Sequence, residues 1–396
     1  MLRIENLAEA VDALAAQTAH RARAAYWDQV LHLLQRLESA QLAERINRVK
    51  DRIPWLVARP TAEPPGARYP APPSPRDYVA VATDGSHMAP DRHSPVRFLV
   101  LNIGKARIRY GTHPRAFLSS AGTFLYREED LSLRDDKGNV YPIEGAVLGI
   151  VMALEELRAL VQEADEEEIP VMALRDGSLI FWPLQSEETP LQDTLLPQIT
   201  RALRQFHDMG VPVASYISYP GARDVVNSVR VWLCGSCVRR GTCEGCEECT
   251  AAEAELCTWL RPMRDRELFA AYLNPGERSA IFESSSALQT RYRDPWGMDH
   301  RIQFFYLHTG KEIARVEAPI WVMQNPRYRD RIHGLLVDQC RRGGGYPPVL
   351  QEAHEQAVIT VEDRRMVETL VEQALAREGI AYVRSRKDWS KRVRGV

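Results

Sequence analysis

No apolar stretch in this 396-residue chain reaches the roughly 18 residues that a membrane-spanning helix needs, which excludes a helical membrane protein. The opening residues, Met1 to Asn6, lack signal-peptide architecture, so a cytoplasmic location is expected. Net charge is nearly absent at −2, which argues against a uniformly basic nucleic-acid coat. A local basic groove stays open, because affinity for phosphates depends on where charges lie. Cysteine is scarce except in one segment: six of the seven fall between Cys234 and Cys257. In a cytoplasmic chain such bunching points to a metal and not to disulfides. Repeats are absent apart from one short pair. What remains, 45% hydrophobic and 26% charged residues, is ordinary for a soluble globular protein with room for two or three domains.

The short pair is Asp-Gly-Ser. One copy, Asp84-Gly85-Ser86, follows Val79–Thr83, and the other, Asp176-Gly177-Ser178, follows Val171–Arg175. A short apolar run bounded by Gly and Ser reads as a buried strand that stops abruptly. Two carboxylates are therefore expected at the tips of two core strands, where they suit Mg²⁺ or Mn²⁺ as hard oxygen ligands.

Residues 1–52 carry apolar positions at helical spacing, among them Leu7, Val11, Leu14, Val30, Leu34, Leu42 and Ile46, and read as a separate helical arm. A proline-rich linker is expected over 53–76. The main body is expected in two parts, 77–233 and 258–396, on either side of the cysteine-rich insertion 234–257. In the first part the pattern predicts strands at Tyr78–Thr83, Val96–Ile103, Lys105–Tyr110 and Thr123–Tyr126, and a helix over Ile143–Ala164. The second Asp-Gly-Ser strand follows, then helix Leu195–His207, strand Val213–Ser218 and helix Asp224–Leu233. In the second part helices are expected at Asp265–Tyr272, Arg327–Cys340, Val349–Ile359 and Val361–Glu378, with a hairpin of Ile302–His308 and Ile313–Val322. The class is α/β or α+β.

A strand with Asp, a meander, a helix and a second strand with Asp is an order that resembles the RNase H-like fold, in which the helix supplies a Glu. Here it offers Glu155 and Glu156. With Leu154 as the centre of the apolar face, Glu155 lies about 100° around and Glu156 about 200°, so Glu155 is the expected partner. Three converging carboxylates are hard to keep ionised together without cations. Two divalent ions about 4 Å apart would resolve this and clamp a scissile phosphate.

Further motifs extend the pattern. ATDGS at 82–86, the Glu-bearing helix and ALRDGSL at 173–179 are followed by YISYPGARDVVN at 216–227 and PGERSAIFES at 275–284. RVEAPIWV at 315–322 and GGGYPPVLQEAHEQAVIT at 343–360 complete the series. In this order the chain resembles NurA, the nuclease partner of the HerA translocase, from about residue 78 to the C-terminus. The resemblance implies an α/β protein with an RNase H-like core and metal-dependent deoxyribonuclease activity, 5′–3′ exonuclease with single-strand endonuclease action, usually with Mn²⁺. It further implies a homodimer that docks on a HerA-type hexamer and helps process DNA ends in repair. Carried over by position, the active site would be Asp84, Glu155, Asp176 and His354, with Tyr346 beside it.

Cys234, Cys237, Cys243, Cys246, Cys249 and Cys257 hold three CxxC steps within 24 residues, a strong metal signal. Structural Zn²⁺ or an iron–sulfur cluster would fit four of them. The cluster departs from the family pattern and reads as an insertion. Basic residues around Trp389 in the tail suit single-stranded DNA. Arg327, Arg329, Arg331, Arg341 and Arg342 are the expected guide for a strand. A non-catalytic adaptor is the rival reading, and the intact carboxylate set argues against it. The same nuclease chemistry would also serve anti-phage defence.

Overall fold

The computed structural model describes residues 7–22, 26–49, 53–89, 96–165, 167–233 and 250–380. Three helices open the chain: α1 (Ala8–Ala22), α2 (Trp27–Arg36) and α3 (Ser39–Val49). Two short strands follow, β1 (Ala58–Pro60) and β2 (Arg68–Tyr69). The long strands β3 (Tyr78–Met88), β4 (Leu99–Tyr110) and β5 (Arg115–Leu125) then form an antiparallel meander. A small ladder of β6 (Ser132–Arg134) and β7 (Val140–Pro142) leads into helix α4 (Gly145–Glu163). Strand β8 (Val171–Asp176) pairs parallel with β3, and β9 (Val213–Ile217) pairs parallel with β8. Helix α5 (Thr189–Asp208) connects them.

The sheet continues beyond β9. Helices α6 (Asp224–Leu233), α7 (Ala251–Leu260) and α8 (Asp265–Tyr272) precede the small strands β10 (Arg278–Ser279) and β11 (Phe282–Ser284). The hairpin of β12 (Ile302–His308) and β13 (Ile313–Pro319) joins β9 to β11. The order is β1-β11-β12-β13-β9-β8-β3-β4-β5, with β2 and β10 to one side. The chain closes with α9 (Ile320–Gln324), α10 (Pro326–Arg342), α11 (Pro348–Ala357) and α12 (Val361–Arg377). The architecture is mixed α/β, a central mixed sheet flanked by helices.

Strand β3 shows why. Its start is apolar at every position because both faces are covered. Val79 and Val81 pack under α4 and α5, with Leu154, Leu157, Ile199 and Leu203. Tyr78, Ala80 and Ala82 point the other way, into Leu335, Leu336, Val349 and Ala353 of α10 and α11. The two-residue side-chain period thus divides one strand between two cores.

Several expectations need correction. Strand β3 does not stop at Asp84. It runs on to Met88, with Asp84 opposite Gly104 and Gly85 opposite Ile103 of β4. The two strands expected over 96–110 are one, β4, and the third strand is longer than Thr123–Tyr126. The arm 1–52 is not separate from Trp27 onward. Val30, Leu34, Leu42, Ile46 and Val49 are buried in one cluster with Val226, Val229, Leu260 and Phe269. Only around α1 does the apolar stripe stay exposed, at Leu7, Val11 and Leu14. The stretch 53–76 is stitched in as well. Ala58 pairs with Ser284, and the Glu63 carboxylate accepts two 2.8 Å hydrogen bonds from Arg278. Proline fixes an extended backbone, which suits an edge strand as well as a linker.

Cys234, Cys237, Cys243, Cys246 and Cys249 lie outside the described residues, as does the tail from 381. Cys257 is buried in α7, whose first turn is closed by a capping box between Thr250 and Glu253. Among the described residues no helix is long and apolar enough to cross a membrane.

Candidate active site

Thr83 of β3 lies beside Arg175 of β8 in the parallel ladder, so Asp84 and Asp176 follow as neighbours on adjacent strands. Strands in a ladder stand about 4.8 Å apart. Side-chain alternation puts both carboxylates on the face of Ala82 and Leu174, toward α11. β8 ends where Gly177 takes φ +78°, and the Gly177 amide donates to Asp176 Oδ1 at 2.8 Å. Burial raises the Asp176 pKa above its ordinary value and the nearby Asp84 charge adds to this, while the Gly177 amide opposes it.

The third carboxylate is Glu156, and this corrects the choice of Glu155. Glu155 pairs with Arg158 on the exposed side of α4. Glu156 is buried, and its Oε2 accepts from Arg175 Nη2 at 3.2 Å. Met152, Glu156 and Leu160 form one i, i+4, i+8 row, and all three are buried. The buried face is wider than a stripe centred on Leu154 and extends to the Glu156 side. Burial pushes the Glu156 carboxyl up to about 7, with Arg175 opposing and Asp84 reinforcing the shift.

Gly85 makes this approach possible. A Cβ there would stand 2.3 Å from Met152 Cε and 2.7 Å from Glu156 Oε1. The glycine after Asp84 therefore serves close approach of helix to strand and not a turn.

His354 and Tyr346 complete the cluster. Helix α11 docks on the meander at Gly104, where a Cβ would meet the Ala353 carbonyl at 2.2 Å. Asn102 Nδ2 donates to the Ala357 carbonyl at 2.8 Å, and Ser86 Oγ donates to the same oxygen. This seat brings His354 Nδ1 to 2.7 Å from Asp84 Oδ2 while the ring stays 65% exposed to solvent. The turn before α11 uses positive φ at Gly344 and Gly345, +68° and +126°. It delivers Tyr346, whose hydroxyl donates to Asp176 Oδ2 at 3.2 Å and whose ring meets Tyr216 edge-on at 5.4 Å. Burial, with Asp176 adding, raises the Tyr346 pKa.

Asp84, Asp176, Tyr346 and His354 thus meet on the α11 side of the sheet, and Glu156 approaches from α4 on the other side, near enough for Asp84 and Asp176 to raise its pKa. Arg175, which the sequence reading did not single out, is the added member. It is 7% exposed and also donates to the Ser178 carbonyl. A charged residue inside an otherwise apolar strand was its signal. The arginines expected as a guide do not join the cluster. Arg341 and Arg342 both bond Asp338, which accepts from Tyr78 at the start of β3. That is six residues, or about 20 Å of strand, from Asp84. Arg329 pairs with Glu63 and Asp330.

The family model of the NurA domain matches residues 78–359, well over half of the chain. The chain belongs to the NurA family. All five residues lie inside the NurA domain, and the family supports a nuclease. No curated protein matches the chain by sequence.

Among the described residues no three His, Cys, Asp or Glu side chains form a ready-made cation shell. The donor set nonetheless fits a hard divalent cation by type and by charge. It offers carboxylate oxygens and one imidazole, and the Asp84 charge weighs on both Glu156 and Asp176.

Proposed function

We propose that this NurA-family protein is a metal-dependent deoxyribonuclease built on an RNase H-like core. The observation that carries the reading is that Asp84 and Asp176 stand side by side with His354 and Tyr346 bonded to them, and with Glu156 within their electrostatic reach, all inside the NurA span. The sheet supports it: an antiparallel meander followed by two strands parallel to its first member, with a helix between the two carboxylate strands.

Asp84, Asp176 and Glu156, with His354, would hold Mn²⁺ or Mg²⁺. Bound divalent ions lower the pKa of water and offset charge on a phosphodiester under attack. The protein's own groups do the positioning. Tyr346 fixes the Asp176 carboxylate through its hydroxyl. Arg175 holds Glu156 beside the end of β8. His354 is anchored through Nδ1, and its second ring nitrogen serves to hold a water or a phosphate oxygen.

The homodimer and the HerA-type translocase partner belong to the same proposal and rest on the family. The sheet ends at β5, where Phe117, Leu118 and Phe124 are exposed, and such an apolar edge favours pairing with a second copy. The cysteine spacing supports a structural Zn²⁺ or an iron–sulfur cluster outside the active site.

The test is cleavage of end-labelled single- and double-stranded DNA with Mn²⁺, Mg²⁺ or EDTA. Metal-dependent cleavage that Asp84→Asn and Asp176→Asn abolish is expected. Full activity of either variant, or none from the intact protein with either metal, removes the reading.

A further inference from the structure

Just past the tips of β8 and β9 lies a feature that the catalytic cluster does not use. A recess of about 250 Å³ opens between Trp182, Ile217 and Pro220, over a floor of Asp224, Arg315 and Glu317. Its walls are apolar and its floor is ionic. Arg315 donates to Asp224 Oδ2 at 3.2 Å and to Glu317 Oε1 at 2.8 Å. Its Nη2 is buried beneath the floor and makes no hydrogen bond among the described residues.

The recess is tied to the catalytic turn. Glu317 Oε2 accepts from Ser178 Oγ at 2.7 Å and from the Leu179 amide at 3.0 Å. Trp182 Nε1 donates to the same Ser178 Oγ at 3.0 Å. Ser178 is two residues beyond Asp176, so wall and floor are both bonded to the segment that carries a catalytic carboxylate.

At its rim stands Tyr219. Among the described residues it is the one non-glycine residue with positive φ, +49°. Such backbone strain persists only where the surroundings impose it. The ring is 67% exposed, and Arg266 lies over one face at 3.8 Å. The Arg266 guanidinium is pinned by the carbonyls of Tyr219 and Pro220 at 3.3 and 3.1 Å. Tyr216, three residues earlier, is the ladder partner of Asp176. Tyr219 is thus within about 10 Å of that register along the chain.

Three arginines stand around the rim, and the nearby carboxylates Glu312 and Glu267 accept from Ser218 Oγ and the Arg264 amide. Arg223, whose guanidinium donates to the Arg261 carbonyl, Arg264 and Arg266 border this loop and make no ion pair among the described residues. They contrast with Arg329, Arg341 and Arg342, which are neutralised by carboxylates.

We propose that the Tyr219–Arg266 rim and the recess behind it hold one unpaired nucleobase of single-stranded DNA beside the scissile phosphate. The inference deepens the nuclease reading and rests on it for the placement of that phosphate. Aromatic stacking beside unneutralised arginines is how single strands are held without sequence preference. A base inside a duplex has no free face for this rim.

The test uses the full-length protein in EDTA with a fluorescent single strand of about 10 nucleotides, within the usual site size. One abasic residue is walked along the strand, and binding is read by anisotropy. At one position the abasic strand should bind about tenfold more weakly, in line with about 1–3 kcal/mol for a stacked base. Tyr219→Ala should weaken the intact strand by a similar factor and erase that discrimination, and Tyr219→Phe should restore both. Arg223→Gln should lower affinity and flatten the salt dependence. Unchanged affinity in Tyr219→Ala, or abasic discrimination that survives in it, overturns the subsite. Discrimination present in a protein that cleaves nothing with Mn²⁺ or Mg²⁺ keeps the subsite and removes the nuclease reading. Cleavage without discrimination does the reverse.

Discussion

Gly85→Ala is the sharpest test of how the site is assembled. The added methyl would stand 2.3 Å from Met152 Cε, 2.7 Å from Glu156 Oε1 and 3.1 Å from Glu156 Cγ. Met152 ends in a flexible thioether and can swing aside. Glu156 cannot do so freely, because Arg175 holds its carboxylate and Thr83 Oγ1 donates to its carbonyl at 2.8 Å. Ordinary contact requires more than 3.4 Å, so the carboxylate or the helix must retreat by at least 0.7 Å, the difference from 2.7 Å. A displacement of about 1 Å in a catalytic group costs on the order of 10²-fold in rate. Overpacking a core contact costs about 1–3 kcal/mol of stability. The expected result is a loss of about 10- to 100-fold in Mn²⁺-supported cleavage, with a modest fall in Tm. Gly122→Ala on β5 is the control, since a Cβ there meets only Asn102 Oδ1 at 4.0 Å. Wild-type cleavage and Tm in Gly85→Ala would refute the assignment of Glu156 and the reason given for this glycine.

Glu156→Gln should abolish cleavage and Glu155→Gln should leave most of it, measured as initial rates at saturating Mn²⁺; the opposite order would return the third carboxylate to Glu155. Because Glu156 is pushed from 4.5 up to about 7, the folded state holds its proton more tightly than the unfolded chain does. Its ionisation therefore costs stability as pH rises from 4.5 toward 7, and Mn²⁺ must displace a proton below 7. Calorimetric Mn²⁺ affinity should rise between pH 6 and 8 in about this window, and Glu156→Gln should flatten the rise. Removing residues 1–22 should preserve folding and basal cleavage. Removing residues 1–52 strips Val30, Leu34, Leu42, Ile46 and Val49 from the core. At about 1.5–3 kcal/mol per buried side chain that loss rivals the whole stability of a domain, so this truncation should melt or aggregate in a thermal scan. Metal analysis of the purified protein should return about one Zn²⁺ per chain without colour, whereas absorbance near 400 nm would identify iron–sulfur.

What was legible in the sequence follows from what each signal depends on. Helix α8 was read to the residue and helix α6 from its first residue, because apolar periodicity and flanking turns are local properties. The two aspartates were legible for a related reason: an apolar run with a carboxylate at its end states its own position on a strand. The errors all concern what lies across the fold. Gly85 was read as the abrupt end of a strand, because Gly and Ser follow the apolar run. In the fold β4 continues opposite it and Met152 and Glu156 press on it, neither of which a local window contains. Glu155 was preferred because one residue was taken as the centre of the α4 face. The true face is set by β3, β4, β8 and α5 together, and it broadens to include Glu156. The arm and the proline-rich stretch looked detachable for the same reason, since Ala58 finds Ser284 and Glu63 finds Arg278 more than two hundred residues away. His354 had no signal in its own neighbourhood. Its place depends on Gly104, which admits α11 to β4, and on Ser86 and Asn102, which hold the end of that helix. A glycine that nothing in the sequence marks is thus as necessary to the His354–Asp84 contact as the histidine itself. Gly104→Ala should therefore lift α11 off β4 and depress cleavage as strongly as His354→Ala; intact cleavage in Gly104→Ala would show that His354 is held by its own segment and not by this seat.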